Sequence, residues 1–471
     1  MSFSLKPEFE TAPVVKALIN IGALMDIPTG YYMTGVHGES VLNGGLGQLT
    51  GVVGIGNSFK STILHYMSLS AMDKITASVE TSLGTYDTEV NTHIERLLAL
   101  AKRFPFIGNM DLINTGLWNI TDKTMYYANE WYEMLKKFLK GKKDNASKIL
   151  VETPFLDKDG KTLMKILTPT FSEIDSFSAF QTEDVAKIQE ETELGDSSGN
   201  TIYMRQGLAK NRFLMEMPKE SMSANHYVLM TAHVGKEIQM ASGPVPQPPA
   251  RKLLQLKNGD KIKGVTDQFF FLMSNCWQTV TAAPLMNQGT KTVEYPKNSD
   301  DNVVGDNDLH IVTMRQLRGK SGPSGAVIEI IVSQIEGVLP ELTEFHYIKG
   351  SDRFGISGSL QHYSLDLLPD VKLSRTTVRG KIDENPRLRR ALNITAEMCQ
   401  MKQYHKYDIL MCTPKELYDD LIKLGYDWNV LLETRGWWTV NNDKHPIKFL
   451  STLDLLKMRA ELYRPYWMDK K

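Results

Sequence analysis

Gly54-Ile55-Gly56-Asn57-Ser58-Phe59-Lys60-Ser61-Thr62 decides the reading of this chain. The stretch fits the phosphate-loop pattern G-x-x-x-x-G-K-[ST] at every position but one, where Phe59 stands in place of the second glycine. Such a loop turns successive backbone N–H groups toward a phosphate at the positive end of a helix. Gly54, Gly56, Asn57, Ser58 and Phe59 would build the cradle and Thr62 would close it. Lys60 would neutralise the β- and γ-phosphates of ATP, and the Ser61 hydroxyl would ligate Mg²⁺. The flanks agree. Gly44-Gly45-Leu46-Gly47-Gln48-Leu49-Thr50-Gly51-Val52-Val53-Gly54 reads as a turn and a short apolar strand, and Ser61 to Ala71 as the helix that follows. The competing account is a glycine-rich turn with a chance lysine.

Upstream, Phe9 to Met25 has the spacing of an amphipathic helix, with Thr11 as cap and Pro13 in its first turn. Downstream, a strand is expected over Ile75 to Val79, ending at Glu80, then helices over Thr88 to Arg103 and Asp122 to Leu139. Lys148 to Leu167 reads as a β-hairpin turning at Asp159-Gly160. Further strand signals fall at Phe171–Ile174, Tyr227–Ala232, Gln268–Met273, His310–Thr313 and Ala326–Ser333. Strands alternating with helical patterns predict an α/β fold with a mainly parallel sheet flanked by helices. The proline-rich stretch 243–249 cannot join a central strand. Residues 371–390, rich in Lys and Arg, read as an exposed connector. In the tail, Thr413-Pro414-Lys415-Glu416 is a capping box with Gly425 placed to end its helix. Trp437–Val440 suggests a short strand, and Thr452–Tyr463 a last helix. The expected division is an N-terminal oligomerisation helix or arm (1–35), a core (36–350) with the 148–167 hairpin inserted, a connector (351–400), and a small, mainly helical C-terminal domain (401–471).

The chain has 471 residues, 42% of them hydrophobic, so a large buried core is feasible. Its formal charge of −1 excludes a uniformly basic protein but leaves room for a local basic stripe that grips nucleic acid. Cys276, Cys399 and Cys412 suit neither a zinc site nor a disulfide framework, which points to a reducing compartment. The sequence has no signal-peptide pattern and no apolar run of membrane-spanning length, so a soluble cytoplasmic protein is expected.

Ser58-Phe59-Lys60-Ser61, with Leu42 to Gly51 before it, resembles the phosphate loop of phage UvsX-type recombinases, relatives of RecA. The resemblance covers roughly residues 10–350 in element order. It implies a RecA-like core and, by position, several roles. Glu80, in Ser78-Val79-Glu80-Thr81, matches the base that orients the attacking water; the rival reading is a surface glutamate at a strand end. Asp175 is the candidate that holds Mg²⁺ through a water, although Ser172 and Glu173 are unexpected in its strand and a plain loop or cap aspartate competes. His233 resembles the residue that senses the γ-phosphate, against a histidine merely satisfied at a strand end. Arg315, Arg318 and Lys320 are candidates to reach the nucleotide of a neighbouring subunit, against incidental charge in a solvated turn. Lys236 falls in a segment similar to the first DNA-binding loop, and Arg251, Lys252, Lys257, Lys261 and Lys263 in the place of the second; a solvated charged face is the alternative.

The expected function is therefore a DNA-dependent ATPase of homologous recombination and repair, forming filaments on single-stranded DNA, with single-strand-binding and mediator proteins as partners and no membrane. If phage-encoded, it would work in the cytoplasm of a bacterial host. A ring-forming replicative helicase, or a non-hydrolysing scaffold of the same fold, are the other readings.

Overall fold

The computed structural model describes residues 15–191, 200–236, 254–257, 259–266, 268–298, 300, 303–359, 361–405 and 410–468. Its centre is a ten-stranded sheet. The strands, numbered along the chain, are β1 (Leu49–Gly54), β2 (Leu83–Asp87), β3 (Trp118–Asp122), β4 (Thr170–Asp175), β5 (His226–Lys236), β6 (Asp260–Ile262), β7 (Asn275–Pro284), β8 (Leu309–Gly319), β9 (Val327–Ser333) and β10 (Gly337–Val338). They lie in the order β10-β9-β8-β7-β1-β5-β4-β2-β3, with β6 on β5. From β7 to β3 every pairing is parallel. The β8, β9, β10 and β6 pairings are antiparallel. The mixed α/β expectation with a mainly parallel sheet holds.

The sheet is covered on both faces, and the period of two along each strand divides its side chains between two cores. Val52, Leu83, Phe171 and Leu229 face the helix Lys60–Thr76 and, beyond it, the C-terminal part of the chain. Val53, Tyr86, Ile174, Val228 and Met230 face the helices Ala128–Asp144 and Asn200–Ala224. Both faces are covered, and the parallel strands β1 and β4 are buried along their whole length. The hairpin is as expected, Leu150–Leu156 pairing antiparallel with Leu163–Leu167.

Several local expectations are corrected. Residues 9–14 of the expected Phe9–Met25 helix lie outside the described residues, and from Val15 to Met25 the chain is not helical. Nearly every apolar side chain there is buried, where an amphipathic helix would bury one stripe. Ile19 bridges Leu46 through two backbone hydrogen bonds of 2.8 and 2.9 Å. Ile75 does not begin a strand: the helix runs on through Thr76, because Leu64, Met67, Ala71 and Ile75 continue one buried helical face. The strand comes later, at β2. Gln268–Leu272 is a short helix whose Phe269 and Phe270 are buried, and the strand is the next segment, β7. The two early helices are shorter or shifted, at Ile94–Ala101 and Ala128–Asp144, and Asp122 ends β3. Trp437–Val440 forms no strand.

Residues 371–390 are ordered structure: the end of a three-stranded sheet, the helix Val378–Glu384 and the start of the helix Pro386–Tyr404. Thr413 caps Pro414–Lys423 through the reciprocal box with Glu416, and Gly425 follows at φ +83°. The tail packs onto the first described residues. Trp438 is fully buried, and its indole Nε1 donates to the Leu18 carbonyl at 2.9 Å. Asp454 accepts from the Ser40 backbone N–H at 2.7 Å.

Candidate functional site

Parallel strands bring their carboxyl ends to one edge of a sheet, and ligands of open α/β sheets collect there. The pairing registers align Gly54 of β1 with His233 of β5 and with Thr279 of β7, and Asp175 of β4 with Asp87 of β2. Five strands thus bring Gly54, Asp87, Asp175, His233 and Thr279 to the carboxyl side of the parallel sheet.

The loop between β1 and the Lys60 helix has the shape its sequence demands. Asn57 and Phe59 both lie in the left-handed region, at φ +56° and +60°. Phe59 therefore adopts the backbone that the pattern ordinarily reserves for glycine, at a cost of about 1–2 kcal/mol for an L-residue. Its ring packs beside His310 with centroids 4.9 Å apart, which offsets part of that cost. Gly54 is required for space: a Cβ there would lie 1.9 Å from Thr279 Oγ1. Ser58 Oγ meets Thr279 Oγ1 at 2.6 Å, tying the loop to β7.

Lys60 opens the helix and folds back over the loop, its Nζ donating to the Ile55 carbonyl at 2.6 Å. Burial pulls its pKa below the ordinary lysine value, and the charges of Asp175 and Glu89 oppose that pull. A lysine ammonium folded over a loop that opens a helix is the kind of group that neutralises phosphate. The Ser61 hydroxyl and the Asp175 carboxylate are hard oxygen donors of the kind Mg²⁺ takes.

Asp175 is buried at the end of β4 and accepts from the Thr231 hydroxyl. The polar residues in its strand have partners on neighbouring elements. Glu173 accepts from Ser68, from Thr85 Oγ1 at 2.7 Å, and pairs with His65 Nδ1 at 3.0 Å. Ser172 meets His226 Nε2 at 3.0 Å. What looks irregular in the sequence is a buried hydrogen-bond network between sheet and helix.

Glu80 is exposed and precedes β2, so it stands at the amino end of that strand, away from the cleft. The carboxylate on the cleft side is Glu89, two residues past the end of β2. Asp87 builds its turn, accepting the backbone N–H groups of Glu89, Val90, Asn91 and Thr92 at 2.8–2.9 Å. Thr88 N–H donates to the Asp175 carbonyl at 2.8 Å, tying the turn to β4. Glu89 Oε1 then meets Ser176 Oγ at 2.9 Å and His233 Nε2 at 3.0 Å. Burial works to raise the Glu89 pKa, but these hydrogen bonds prevail and hold it below the usual carboxylate value. The signal lies in Tyr86-Asp87-Thr88-Glu89, an acidic turn after a largely buried strand that begins eight residues later than its sequence suggests. Thr279 was hidden likewise, with β7.

Beyond His233, β5 continues to Lys236, which pairs with Asp260 of β6. The backbone N–H of Lys263 donates to the His233 carbonyl at 2.7 Å, so the segment carrying Lys261 and Lys263 is hung directly on the cleft. Lys257, Lys261 and Lys263 are exposed; Arg251 and Lys252 lie outside the described residues. Arg315, Arg318 and Lys320 are spread along β8 and its turn. Arg315 lies across from Gln278, level with the loop, and its guanidinium donates to the Gln255 carbonyl at 3.4 Å. Arg318 lies across from Cys276, and Lys320 bonds Ser274 at the Leu49 end of β1, opposite the loop.

No family model matches the chain, and no curated protein matches it either. Among the described residues no helix is long and apolar enough to cross a membrane.

Proposed function

We propose that this chain is a RecA-like P-loop ATPase that works on DNA in homologous recombination, in the manner of the UvsX-type proteins its loop sequence resembles. The observation that carries the reading is the meeting of Lys60, Asp175, Glu89 and His233 at one carboxyl edge of a parallel sheet. ATP would lie with its phosphates on the loop N–H groups and Lys60, and Mg²⁺ would be held by Ser61 and, through water, by Asp175. Glu89 is the base of this proposal, taking the role expected of Glu80: an ionised carboxylate can align water for in-line attack on the γ-phosphate. His233 holds Glu89, and its carbonyl accepts from the Lys263 backbone N–H, so loss of the γ-phosphate would be felt by the basic loops proposed to grip single-stranded DNA.

Arg318 and Lys320, at the end of the sheet away from the chain's own loop, suit a role on the nucleotide of a stacked neighbour. That geometry favours a filament or ring with ATP between subunits. The buried partners of Ser172 and Glu173 account for the polar residues in the strand of Asp175, which supports the hydrolysing reading over a non-hydrolysing scaffold.

The test is phosphate release with and without single-stranded DNA, paired with electron microscopy in a slowly hydrolysed ATP analogue. DNA-stimulated turnover and continuous helical filaments support the recombinase. Closed rings would transfer the reading to a helicase, and absence of turnover with any DNA would overturn the enzyme.

A further inference from the structure

The helix Asn200–Ala224 takes no part in the proposed chemistry, yet it grips the turn that follows Asp175. Gln206 and Lys210 lie about one helical turn apart on one of its faces. Gln206 Nε2 donates to the Phe180 carbonyl at 3.3 Å. Lys210 Nζ donates to the Ser178 carbonyl at 2.7 Å and to the Gly264 carbonyl at 2.6 Å. One ammonium thus joins three separate parts of the chain: the helix, the turn after β4, and the segment that carries Lys261 and Lys263.

Ser178 is where these parts meet. Its Oγ donates to the Lys263 carbonyl at 2.9 Å and accepts from the His233 backbone N–H at 3.0 Å. The two backbones approach so closely that a Cβ on residue 264 would lie 2.7 Å from the Ser178 carbonyl oxygen, and Gly264 takes φ +67°. Only glycine fits there without strain. β6 pairs with β5 at Val234–Lys236, beyond His233. Ser178 and Lys210 carry the contact back to the turn after Asp175.

The charge on Lys210 needs a reason. The residue is 3% exposed, and its Nζ lies 5.7 Å from the centre of the Phe177 ring. Its hydrogen-bond acceptors among the described residues are carbonyls, not carboxylates. An ammonium is costly to bury, and burial pulls this one's pKa down to about 8. A methionine would fill the same space without that cost. Packing therefore does not account for a lysine here, whereas two carbonyls from different segments do.

We propose that Lys210 is a positioning residue that clasps the basic segment to the His233 edge of the cleft, so that the two move as one unit. Its effect on DNA binding rests on the function proposed above; the clasp itself does not.

The experiment combines amide hydrogen exchange of the full chain with titrations of a single-stranded oligonucleotide, with and without a slowly hydrolysed ATP analogue. In Lys210→Met the amides of His233 and Lys263 are expected to exchange at least tenfold faster, with those of Val52 and Val53 unchanged. Affinity for the analogue stays within twofold of wild type, while the tightening on DNA that the analogue induces falls at least fivefold. Ser178→Ala reproduces the pattern, and the double variant loses no more than the larger single one, since both act through one contact. Ser178→Ala also serves should Lys210→Met fail to fold, as judged by circular dichroism. Unchanged exchange in the folded variants would overturn the clasp. Faster exchange with an undiminished DNA response, or loss of nucleotide and DNA affinity together, would overturn the positioning role. A wild type that ignores DNA would overturn that role along with the proposed function, and the exchange rates would still decide the clasp.

Discussion

Glu89 Oε1 lies 3.0 Å from His233 Nε2, joining the turn after β2 to the end of β5 across the intervening strand β4. Glu80 has no place in this arrangement. If the proposed chemistry is right, Glu89→Gln and Lys60→Ala each lower DNA-stimulated ATP turnover by about 10²-fold or more, in keeping with loss of a positioned catalytic group. Glu80→Gln retains the wild-type rate. Steady-state phosphate release decides it, and the reverse pattern would return the base to Glu80.

Phe59 sets backbone against side chain. Glycine in its place relieves the left-handed strain but forfeits the contact with His310, and the two effects are each about 1 kcal/mol. Phe59→Gly is therefore expected to unfold in urea within about 1 kcal/mol of wild type and to keep nucleotide binding. Phe59→Val loses the ring and places a β-branched residue at positive φ, so it is expected to cost about 2 kcal/mol or more.

The buried His65–Glu173 pair predicts a stability window. For Glu173, burial acts to raise the pKa, but the His65 charge and the hydrogen bonds from His65, Ser68 and Thr85 prevail and lower it below 4.5. Its contribution is present above that value and is lost as pH falls through the depressed one. For His65, burial acts to lower the pKa, but Glu173 prevails and raises it above 6.5. That contribution is full below 6.5 and is lost as pH rises through the raised value. The difference in unfolding free energy between wild type and His65→Gln should therefore peak between about pH 4.5 and 6.5 and shrink on both sides. Urea titrations across pH measure it, and a flat difference would refute the pairing.

Trp438 anchors the tail to the N-terminal segment. It is fully buried, donates to Leu18, and meets Phe155 edge-on with centroids 5.0 Å apart. Trp438→Ala is expected to cost about 3–5 kcal/mol, read from the urea midpoint. The exposed Thr413→Ala change removes one cap and is expected to cost about 1 kcal/mol. Similar losses in the two variants would contradict the burial of the indole.

Some of this was legible because it is local. The Gly54–Thr62 loop is nine contiguous residues, and its backbone demands are written at each position, so even the departure at Phe59 stands out. The hairpin turn at Asp159-Gly160 and the capping box at Thr413 are equally self-contained. The alternation of strands and helices carried the α/β class.

What the sequence by itself determined was thus the turn of the Gly54–Thr62 loop and the layered class of the fold, because each rests on neighbours along the chain. Tertiary structure alone decided which of two nearby glutamates faces the cleft. The choice depends on where β2 begins, and that is set by Leu83 pairing with Phe171, 88 residues away in register. It likewise decided that Ser172 and Glu173 belong in a central strand, since their partners His226 and His65 come from other elements. Hydrogen-bond satisfaction of a buried polar group is a property of the space around it, and that space is filled by residues distant in sequence.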